Sequence, residues 1–297
     1  MKIIDTHHHF WSVKSGNYAW LENRDQERLW GKPADIPSEY LPEDLLADAG
    51  DLDLVKSVHV QCGYDPSRPV DETKWLQGLA DAPGSGGFPH AIVAFADLSR
   101  PDVDEVLSQH REYKNVRGIR HMLNRHKNEL WHMSDRDYLK EDTWRQNFSL
   151  LAKYNLSFDL QLYYHQIDDA ISLAKDNPEI LFILNHAGMP VDRDTESIEA
   201  WRLALERLAE CSNVVAKISG LGMCDWKWTV DSIRPFVLGV IKAFGVDRCM
   251  FASNFPVDKN FSDYASVWNA YDEITAEFSE EVRMKLFHDN AETYYRL

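Results

Sequence analysis

Short apolar runs alternate with amphipathic segments along most of the chain. Eight runs rich in β-branched or aromatic residues predict strands, and they begin near residues 3, 55, 91, 115, 157, 180, 214 and 249. Segments with apolar residues at helical spacing follow several of them, for example at 167–175, 196–210 and 232–244. Apolar strands that alternate with helices are typical of a parallel sheet covered on both faces. The pattern therefore predicts an α/β fold.

The number of strand–helix units narrows the architecture. Eight such units in 297 residues favour a (β/α)8 TIM barrel. An open doubly wound sheet is the alternative, but it would normally carry a glycine-rich phosphate turn after its first strand, and the sequence has none there. No internal repeat, low-complexity run or linker interrupts the chain. We therefore expect one domain over residues 1–297.

Residues 11–42 interrupt the alternation. This segment is rich in polar residues, glycine and proline, and it contains Trp11, Trp20 and Trp30. A loop of this length in a compact domain is usually functional or disordered, and the aromatic residues argue against disorder. We interpret the segment as an extended loop that forms a lid over the mouth of the barrel.

Composition and charge exclude several classes of partner. The net charge of −16 and the isoelectric point near 5.1 disfavour binding to nucleic acid or to an anionic membrane. The sequence shows no run of eighteen apolar residues and no secretory signal pattern, so we expect no membrane span. Four cysteines are scattered without C-x-x-C spacing, which predicts reduced thiols and a cytoplasmic location.

The first ten residues carry a concentration of chemistry. Ile3 and Ile4 predict a strand, and alternate side chains of a strand share a face. Asp5, His7 and His9 would therefore project to one side. Two imidazoles at this spacing can hold a metal ion or a carbonyl oxygen, and the carboxylate can orient one ring through its other nitrogen. The alternative is a polar N-terminal tail.

Polar side chains recur where the predicted strands end. A barrel of this type carries its chemistry at the C-terminal ends of its strands, and burial of such groups without partners is costly. Each residue alone is compatible with an ordinary structural role, but the set predicts a functional site. The set comprises His7, His9, Gln61, Asp97, Arg120, His121, Gln161, His186, Lys217, Ser219 and Asn254.

Seven motifs in order resemble a known family. They are Asp-Thr-His-His-His-Phe-Trp at 5–11, Tyr-Ala-Trp-Leu at 18–21, Glu-Thr-Lys-Trp-Leu at 72–76, Gly-Ile-Arg-His at 118–121, Asn-His-Ala-Gly at 185–188, Lys-Ile-Ser-Gly at 217–220 and Ser-Asn-Phe-Pro at 253–256. Together they resemble the lactonase branch of the amidohydrolase superfamily, which includes fuconolactonases, rhamnonolactonases and pyrone-dicarboxylate lactonases. The resemblance implies a distorted TIM barrel that opens a cyclic ester with water, with zinc or without metal.

The resemblance also implies roles for individual residues. His7, His9 and His186 correspond to three histidines that surround either a metal ion or the substrate carbonyl, and Arg120 corresponds to a residue that faces the substrate. Asn254 departs from the family pattern, which more often has an aspartate that acts as general base. An amide is not basic near neutral pH and cannot take a proton from water.

Three interpretations of Asn254 follow. A zinc ion on His7, His9 and His186 would lower the pKa of bound water to about 7, and Asn254 would then only position the hydroxide. Alternatively another group takes the proton, and the candidates are Asp258, His121 and Asp97. In the third interpretation the protein binds a sugar acid without turnover.

Four further residues are candidates for contact with a substrate. Arg120 presents a planar fork of donors that suits a carboxylate or a polyhydroxylated acid. Gln161 could bind a substrate hydroxyl or satisfy a buried neighbour. Trp11 and Trp20 could stack on a sugar ring or simply pack the lid. Lys217 either faces inward as an amine or pairs with a carboxylate of a surrounding helix.

The sequence therefore predicts a cytoplasmic hydrolase that opens a small lactone, with a sugar-acid (aldono-) lactone as the preferred substrate. His7, His9 and His186 would polarise the carbonyl or hold one zinc ion, and metal-free catalysis is the alternative. Asn254 and His121 would position water. A metal-dependent decarboxylase of the same superfamily and a non-catalytic sugar-acid binding protein are the competing functions. The expected partner is a small molecule, and a homo-oligomer remains open.

Overall fold

The computed structural model describes residues 1–15 and 17–297, and it contains an eight-stranded parallel sheet. In chain order the strands are β1 Ile3–His8, β2 Trp11–Ser12, β3 Glu39–Tyr40, β4 Leu54–Val60, β5 Ala91–Ala94, β6 Val116–Ile119, β7 Ser157–Leu160, β8 Phe182–Leu184, β9 Val214–Ile218 and β10 Cys249–Phe251. The eight strands of this sheet pair in the order β1-β4-β5-β6-β7-β8-β9-β10. The predicted (β/α)8 barrel is confirmed, and the short strands β2 and β3 form a separate ribbon.

Helices follow the strands and cover the outside of the barrel. They are α1 Ala19–Glu22, α2 Pro42–Ala49, α3 Pro69–Asp81, α4 Val103–His110, α5 Asp142–Phe148, α6 Leu150–Lys153, α7 Ile167–Asp176, α8 Thr195–Ala209, α9 Val230–Phe244, α10 Tyr264–Ile274, α11 Glu280–Met284 and α12 Asn290–Tyr295. Asp194 and Thr229 cap α8 and α9 by accepting backbone N–H groups. Within the described ranges, no helix has both the length and the apolar character that a bilayer crossing requires.

The barrel closes at an irregular seam between β10 and β1. Beyond β10, the backbone N–H of Asn254 donates to the His7 carbonyl oxygen at 2.8 Å. The backbone N–H of His9 donates to the Phe255 carbonyl oxygen at 2.8 Å. The Thr6 hydroxyl donates to the Phe251 carbonyl at 2.9 Å. The register of β1 against β4 also shifts between Asp5 and His8. The ring is therefore distorted where the first and last strands meet.

Strand alternation separates two apolar regions. One set of strand residues packs against the helices, and the other fills the barrel interior with Val58, Val93, Ile183, Val215 and Met250 among its members. Every second residue along a strand points into the barrel, and toward the C-terminal ends of the strands these inward residues are polar. The pleat of the strands thus directs a group of buried polar side chains toward the mouth of the barrel.

The segment at 11–42 is more structured than the predicted loop. Strands β2 and β3 pair antiparallel, and 3₁₀ turns at Val13–Ser15 and Pro33–Asp35 accompany α1. Trp11 is fully buried and its indole Nε1 donates to the Pro37 carbonyl at 2.9 Å. Gly16, which falls within the predicted lid, lies outside the described residues. The described part of the segment is mostly irregular, and the short elements within it were not part of the predicted loop.

Candidate active site

A cavity of about 280 Å³ lies at the mouth of the barrel, and its lining has two chemical characters. Four polar residues line the bottom of the cavity, and we call them the cavity floor: His9, Arg120, His186 and Asn254. Its walls are largely apolar and come from the 11–42 segment and from loops: Trp11, Trp20, Trp30, Met122, Met133, Met223 and Val257. Gln161, Arg28, His132 and Ser134 add polar groups to the lining.

His9 presents a lone pair to the cavity. Its Nδ1 lies 2.7 Å from the Val60 carbonyl oxygen, which can only accept, so Nδ1 carries the proton. The Nε2 atom is therefore an acceptor as long as the ring is neutral. Burial lowers the pKa of His9 to about 3, so the ring is neutral at physiological pH. His9 thus offers a hydrogen-bond acceptor at Nε2 to a water molecule or a ligand.

His186 enters the cavity from a strained turn after β8. Its backbone has a left-handed φ of 52°, which non-glycine residues adopt mainly where the surrounding structure enforces it. The Nδ1 atom lies 2.9 Å from the Ser219 hydroxyl, which leaves Nε2 for the cavity. Neighbouring Gly220 makes room for the ring, because a Cβ there would lie 2.6 Å from His186 Nδ1. Burial and nearby Arg120 hold the pKa of His186 well below its usual value.

Arg120 is a buried cation with few acceptors. Its Nη1 donates to Gln161 Oε1 at 2.5 Å, and its Nη2 donates to the Gln61 carbonyl oxygen. Its Nε has no partner among the described residues. Burial lowers the pKa of Arg120 to about 10, so the guanidinium stays charged at neutral pH. A charged group with unused donors can bind a substrate oxygen.

His7 is fully buried and does not line the cavity. Its ring centroid lies 4.4 Å from that of His186 and 5.1 Å from that of His9. Two cations flank the ring, since Lys217 Nζ lies 3.3 Å from Nδ1 and Arg120 Nη1 lies 3.4 Å from Nε2. Burial and these charges hold the pKa of His7 well below its usual value.

Asn254 occupies a left-handed turn beyond β10 with a φ of 60°. Its Nδ2 donates to Asp258 Oδ1 at 2.8 Å, and its side chain also interacts with His9. Asp258 is buried and lies outside the cavity lining. Burial raises the pKa of Asp258 to about 7, so this carboxyl group is only partly ionised at neutral pH.

A zinc ion does not fit His7 in this arrangement. Metal-binding imidazoles must present a lone pair, and the ligands of a tetrahedral site must converge. Both nitrogens of His7 face donor-only cations, and within the described residues no choice of one nitrogen each from His7, His9 and His186 lies within 4.8 Å of the other two. The three-histidine zinc site stays a prediction, and the contacts of His7 count against it.

Among the described residues, the possible ligand atoms of His59, Cys62 and Glu72 do lie within 4.8 Å of one another. We call these three residues and Tyr18 the Glu72 cluster. Cys62 Sγ and the Tyr18 hydroxyl donate to Glu72 Oε1 at 3.4 and 3.2 Å. His59 Nδ1 accepts the Phe10 backbone N–H at 3.0 Å, so its Nε2 carries the proton. A protonated nitrogen cannot ligate a metal. The cluster therefore suits internal hydrogen bonding better than a cation.

Three sequence expectations need correction. His121 lines an adjacent cavity, where its Nδ1 accepts from the Trp144 indole at 3.2 Å and its ring packs on Tyr138. These contacts count against a role for His121 on the cavity floor, and its positioning of water stays a prediction. Asp97 accepts the Ser99 backbone and hydroxyl groups and stabilises a turn.

Asp5 does not orient a histidine ring. It accepts the Ser253 hydroxyl at 2.5 Å and the Tyr264 hydroxyl at 3.0 Å, and it thereby stabilises the seam. Burial raises its pKa, and these hydrogen bonds oppose the shift.

The residues that were predicted to contact a substrate line the cavity. Trp11 stacks on His9 with centroids 6.2 Å apart, and the Trp20 indole donates to the Cys62 carbonyl at 2.6 Å. Both tryptophans and Gln161 line the cavity. Gln161 Nε2 donates only to Met133 Sδ at 3.3 Å, which is a weak acceptor. This amide can therefore donate to a ligand as well.

Sequence reasoning missed the partner of Lys217. The ammonium faces inward and forms an ion pair with Asp159 of β7, which also accepts from Asn185 and Tyr295. The available signal was a carboxylate inside the otherwise apolar run Ser157–Leu160. A charged residue in a fully buried strand requires a partner.

The comparisons with known proteins agree with this geometry. The amidohydrolase family model matches residues 4–297. The chain belongs to the amidohydrolase family. The predicted membership is thus confirmed, and with it the expectation of a hydrolytic enzyme. Protein y4mH of Sinorhizobium fredii, described as uncharacterized, is 49% identical to this amidohydrolase over 296 residues, covering 99% of this chain and 98% of that protein.

Two further relatives have more informative descriptions. An L-fucono-1,5-lactonase of Burkholderia multivorans is 28% identical over 266 residues, which are 86% of this chain and 82% of that protein. A crystal structure of an amidohydrolase from Burkholderia multivorans with bound zinc superposes on this amidohydrolase with a TM-score of 0.82 at 25% identity, covering 100% of both chains.

Proposed function

We propose that this amidohydrolase opens a small lactone by attack of water on the ring carbonyl. The observation that carries the proposal is that the cavity floor contains both a hydrogen-bond donor and a hydrogen-bond acceptor. Arg120 lines the cavity and its Nε–H has no partner among the described residues, and His9 offers a lone pair at Nε2. Ester hydrolysis requires a donor for the developing oxyanion and an acceptor for a proton of water.

Arg120 polarises the lactone in this proposal. Its buried guanidinium donates to the carbonyl oxygen and stabilises the negative charge that develops when water adds to the carbonyl carbon. Such a donor is effective in a water-poor site, because a low dielectric strengthens the interaction and the charge is already oriented. Gln161 holds Arg120 by accepting from Nη1 at 2.5 Å. Its own Nε2 remains available for a substrate hydroxyl.

His9 and Asn254 hold the attacking water. Asn254 Nδ2 is engaged by Asp258, which leaves Oδ1 as the atom that accepts. A water molecule that donates to both His9 Nε2 and Asn254 Oδ1 would have its lone pair free for the carbonyl carbon. Asn254 thus orients the water, and His9 takes the proton as the new C–O bond forms. The amide itself never acts as a base.

The proton that His9 takes from water is used again when the ring opens. The His9 imidazolium is a strong acid in its buried surroundings, since burial favours the neutral ring. It donates the proton to the ring oxygen when the ring C–O bond breaks, and the products are a carboxylic acid and a hydroxyl group on one chain. His186 presents Nε2 to the same space and contacts the substrate.

A sugar-acid lactone is the substrate that we propose. Two L-fucono-1,5-lactonases are 27% and 28% identical to the chain. Tryptophan faces beside polar side chains suit a ring that has both C–H and hydroxyl groups. We further propose that the enzyme is cytoplasmic, because its four cysteines are free thiols.

A lactone panel tests the function. Purified protein is incubated with 1,4- and 1,5-aldonolactones and with apolar lactones, and acid release is followed with a pH indicator, before and after treatment with a chelator. We expect turnover of at least one aldonolactone and no loss after chelation. Tight binding without acid release would support the non-catalytic alternative. Carbon dioxide release from an aromatic acid, without lactone turnover, would support the decarboxylase instead.

A further inference from the structure

A second cavity lies at the opposite end of the barrel from the cavity floor. It has a volume of about 240 Å³, and its lining residues are Arg111, Tyr113, Lys114, Arg117, Asn155 and Arg296. Arg117 lies near the start of β6, whereas Arg120 follows the end of that strand, so roughly 10 Å of strand separates the two arginines. Four of the six lining residues are cationic and none is acidic. This is the reverse of the whole chain, in which 48 acidic residues outnumber 32 basic ones.

Three of these cations form what we call the arginine cluster: Arg111, Arg117 and Arg296. Arg117 Nε donates to the Arg296 carbonyl oxygen at 3.2 Å, and Arg296 Nη2 donates to the Arg117 carbonyl oxygen at 2.9 Å. Arg111 Nη1 donates to the Val116 carbonyl oxygen at 3.2 Å. These bonds join the end of α4, the start of β6 and the residues after α12. The arginine cluster therefore connects three segments that are distant in sequence.

The arginine cluster has no acidic partner. Within the described residues, no carboxylate oxygen lies within 4.0 Å of a side-chain nitrogen of its three members. Other arginines on the outside of the barrel do have such partners: Arg100 lies 2.8 Å from Asp102. Backbone carbonyl groups satisfy some N–H groups of the arginine cluster, but its positive charges have no negative counterpart.

Several donors of the arginine cluster are also unused. Arg117 Nη2, Arg111 Nη2 and Arg296 Nη1 form no hydrogen bond with the described residues. Burial and the charges of Arg296 and Arg111 lower the pKa of Arg117, and burial and Arg111 lower that of Arg296. A guanidinium nevertheless stays protonated at neutral pH. A bound anion would therefore reduce the repulsion and accept from the unused donors.

A phosphate group suits these donors. Guanidinium groups bind phosphate through two parallel N–H···O bonds, and a phosphate monoester carries a charge of about −1.5 to −2 at pH 7. It has three terminal oxygens, so each of the three guanidinium groups has an acceptor. A carboxylate has only two oxygens and a single charge, and it would neutralise less of the arginine cluster.

We propose that the arginine cluster binds a phosphate group, either as inorganic phosphate or as part of a small phosphate monoester. This site goes beyond the proposed lactone hydrolysis, because it lies at the other end of the barrel from the cavity floor. The bound phosphate holds the residues after α12 against β6 and the end of α4. A ligand that binds the folded state in this way raises its stability.

Isothermal titration calorimetry of the whole protein tests the site with two probes, inorganic phosphate and glycerol 3-phosphate. We expect saturable binding of one phosphate group per chain, with a dissociation constant on the order of 1 mM or lower at low ionic strength. Sodium chloride of equal ionic strength should give no saturable signal. Tighter binding of glycerol 3-phosphate would identify a phosphate monoester as the ligand, and tighter binding of inorganic phosphate would identify the free ion.

Arg111→Met is the variant that tests the assignment. It removes one charge and only one backbone hydrogen bond, so we expect a folded protein with about 10- to 100-fold weaker phosphate binding. Arg100→Met is the matched control, since Arg100 precedes α4, Arg111 follows it, and Arg100 already pairs with Asp102. The control should bind phosphate within about twofold of wild type. If Arg111→Met does not fold, Arg296→Met receives the same measurements.

Thermal unfolding provides a second measurement. Phosphate should raise the Tm of the wild-type protein and of Arg100→Met, and it should raise the Tm of Arg111→Met much less. Absence of saturable phosphate binding to the wild-type protein would overturn the proposal. Equal phosphate affinity of wild type and the folded arginine-cluster variant would overturn it as well, because the phosphate would then bind elsewhere, for example at Arg120.

Discussion

The cavity floor and the Glu72 cluster contain similar residue types but differ in what their atoms can still bind. On the cavity floor, backbone and hydroxyl partners engage the Nδ1 atoms of His9 and His186, and both Nε2 atoms remain for the cavity. In the Glu72 cluster, a backbone amide occupies the lone pair of His59, and the carboxylate is engaged by Cys62 and Tyr18.

The difference shows that the partner of the second ring nitrogen decides the chemistry of a histidine. His59, Cys62 and Glu72 converge more tightly than the three predicted zinc ligands, yet the N–H of His59 and the S–H of Cys62 are donors. The cavity floor has looser geometry but presents the lone pair of His9 Nε2 beside a cation. Residue identity alone therefore does not distinguish a reactive group from a structural one.

The largest expected effect is on the cavity floor. Arg120→Met should lower kcat/KM for a turned-over lactone by about 100- to 1,000-fold, because the main donor to the oxyanion is lost. Arg117→Met changes the same strand at its other end and should leave kcat/KM within about twofold. Steady-state kinetics measure both, with circular dichroism to verify folding. Retention of a tenth or more of the wild-type activity in Arg120→Met would contradict the assigned role.

A smaller loss is expected when the His186 ring is displaced. In Gly220→Ala the new Cβ would lie 2.6 Å from His186 Nδ1, so the ring must shift, and we expect kcat/KM to fall about 10- to 100-fold. Gly84→Ala is the matched control, since Gly84 also has a left-handed φ of 84° but no atom within 4 Å of the added Cβ. Both variants should lose about 1–2 kcal/mol of stability. Equal activities of the two variants would argue against a role for His186.

The Glu72 cluster should affect stability and its pH dependence. Burial raises the pKa of Glu72 to about 7 in the folded protein, so the folded state binds an extra proton between the unfolded pKa and that value. The free energy of unfolding should therefore decrease as pH rises through this window, by on the order of 3 kcal/mol for this group.

Glu72→Gln should remove this contribution and flatten the pH dependence of urea unfolding between about pH 4.5 and 7. Asp258 has a similarly raised pKa and remains in the variant, so part of the slope should persist. Glu277→Gln, at an exposed position, is the control and should keep the wild-type slope. A Glu72→Gln slope that equals that of wild type would mean that Glu72 is ionised normally.

The smallest effect on turnover is expected at His121, which belongs to neither region. His121→Asn preserves an acceptor for the Trp144 indole, whereas His121→Ala removes it. Both variants should keep kcat/KM within about threefold, and the alanine variant should lose about 1–3 kcal/mol of unfolding free energy because a buried donor is left unsatisfied. A tenfold loss of kcat/KM in His121→Asn would restore the sequence prediction that His121 positions water.

The fold was largely predictable because the strand and helix periods are strong along this chain. The positions of Trp11, Trp20, Arg120, Gln161 and His186 around one cavity also followed from their places at strand ends and in the 11–42 segment. The C-terminal helical segment contains a π-helical stretch at Lys285–Asp289 between α11 and α12. Apolar spacing does not report such a local change in hydrogen bonding.

The contacts of the site could not be predicted from strand position. The sequence left Lys217 open between an inward position and a pair with a helix carboxylate, and it did not reveal that Asp159 of a non-adjacent strand would form an ion pair with it. His121 follows Arg120 directly, and alternation turns the two side chains in different directions, so a motif that contains both does not place both in one cavity. The two cations beside His7, Lys217 and Arg120, come from distant parts of the chain, and no local pattern encodes that arrangement.

The seam between β10 and β1 carries part of the cavity floor, and within the described residues an isolated bridge between His8 and Phe255 joins it in place of a strand ladder. Asn254 and His9 are each fixed there by a backbone contact that also completes the barrel. A thermal fluctuation that separates these two segments would disperse the reactive groups while the other seven strand pairs stay intact. Heat inactivation should consequently precede loss of the far-ultraviolet circular dichroism signal.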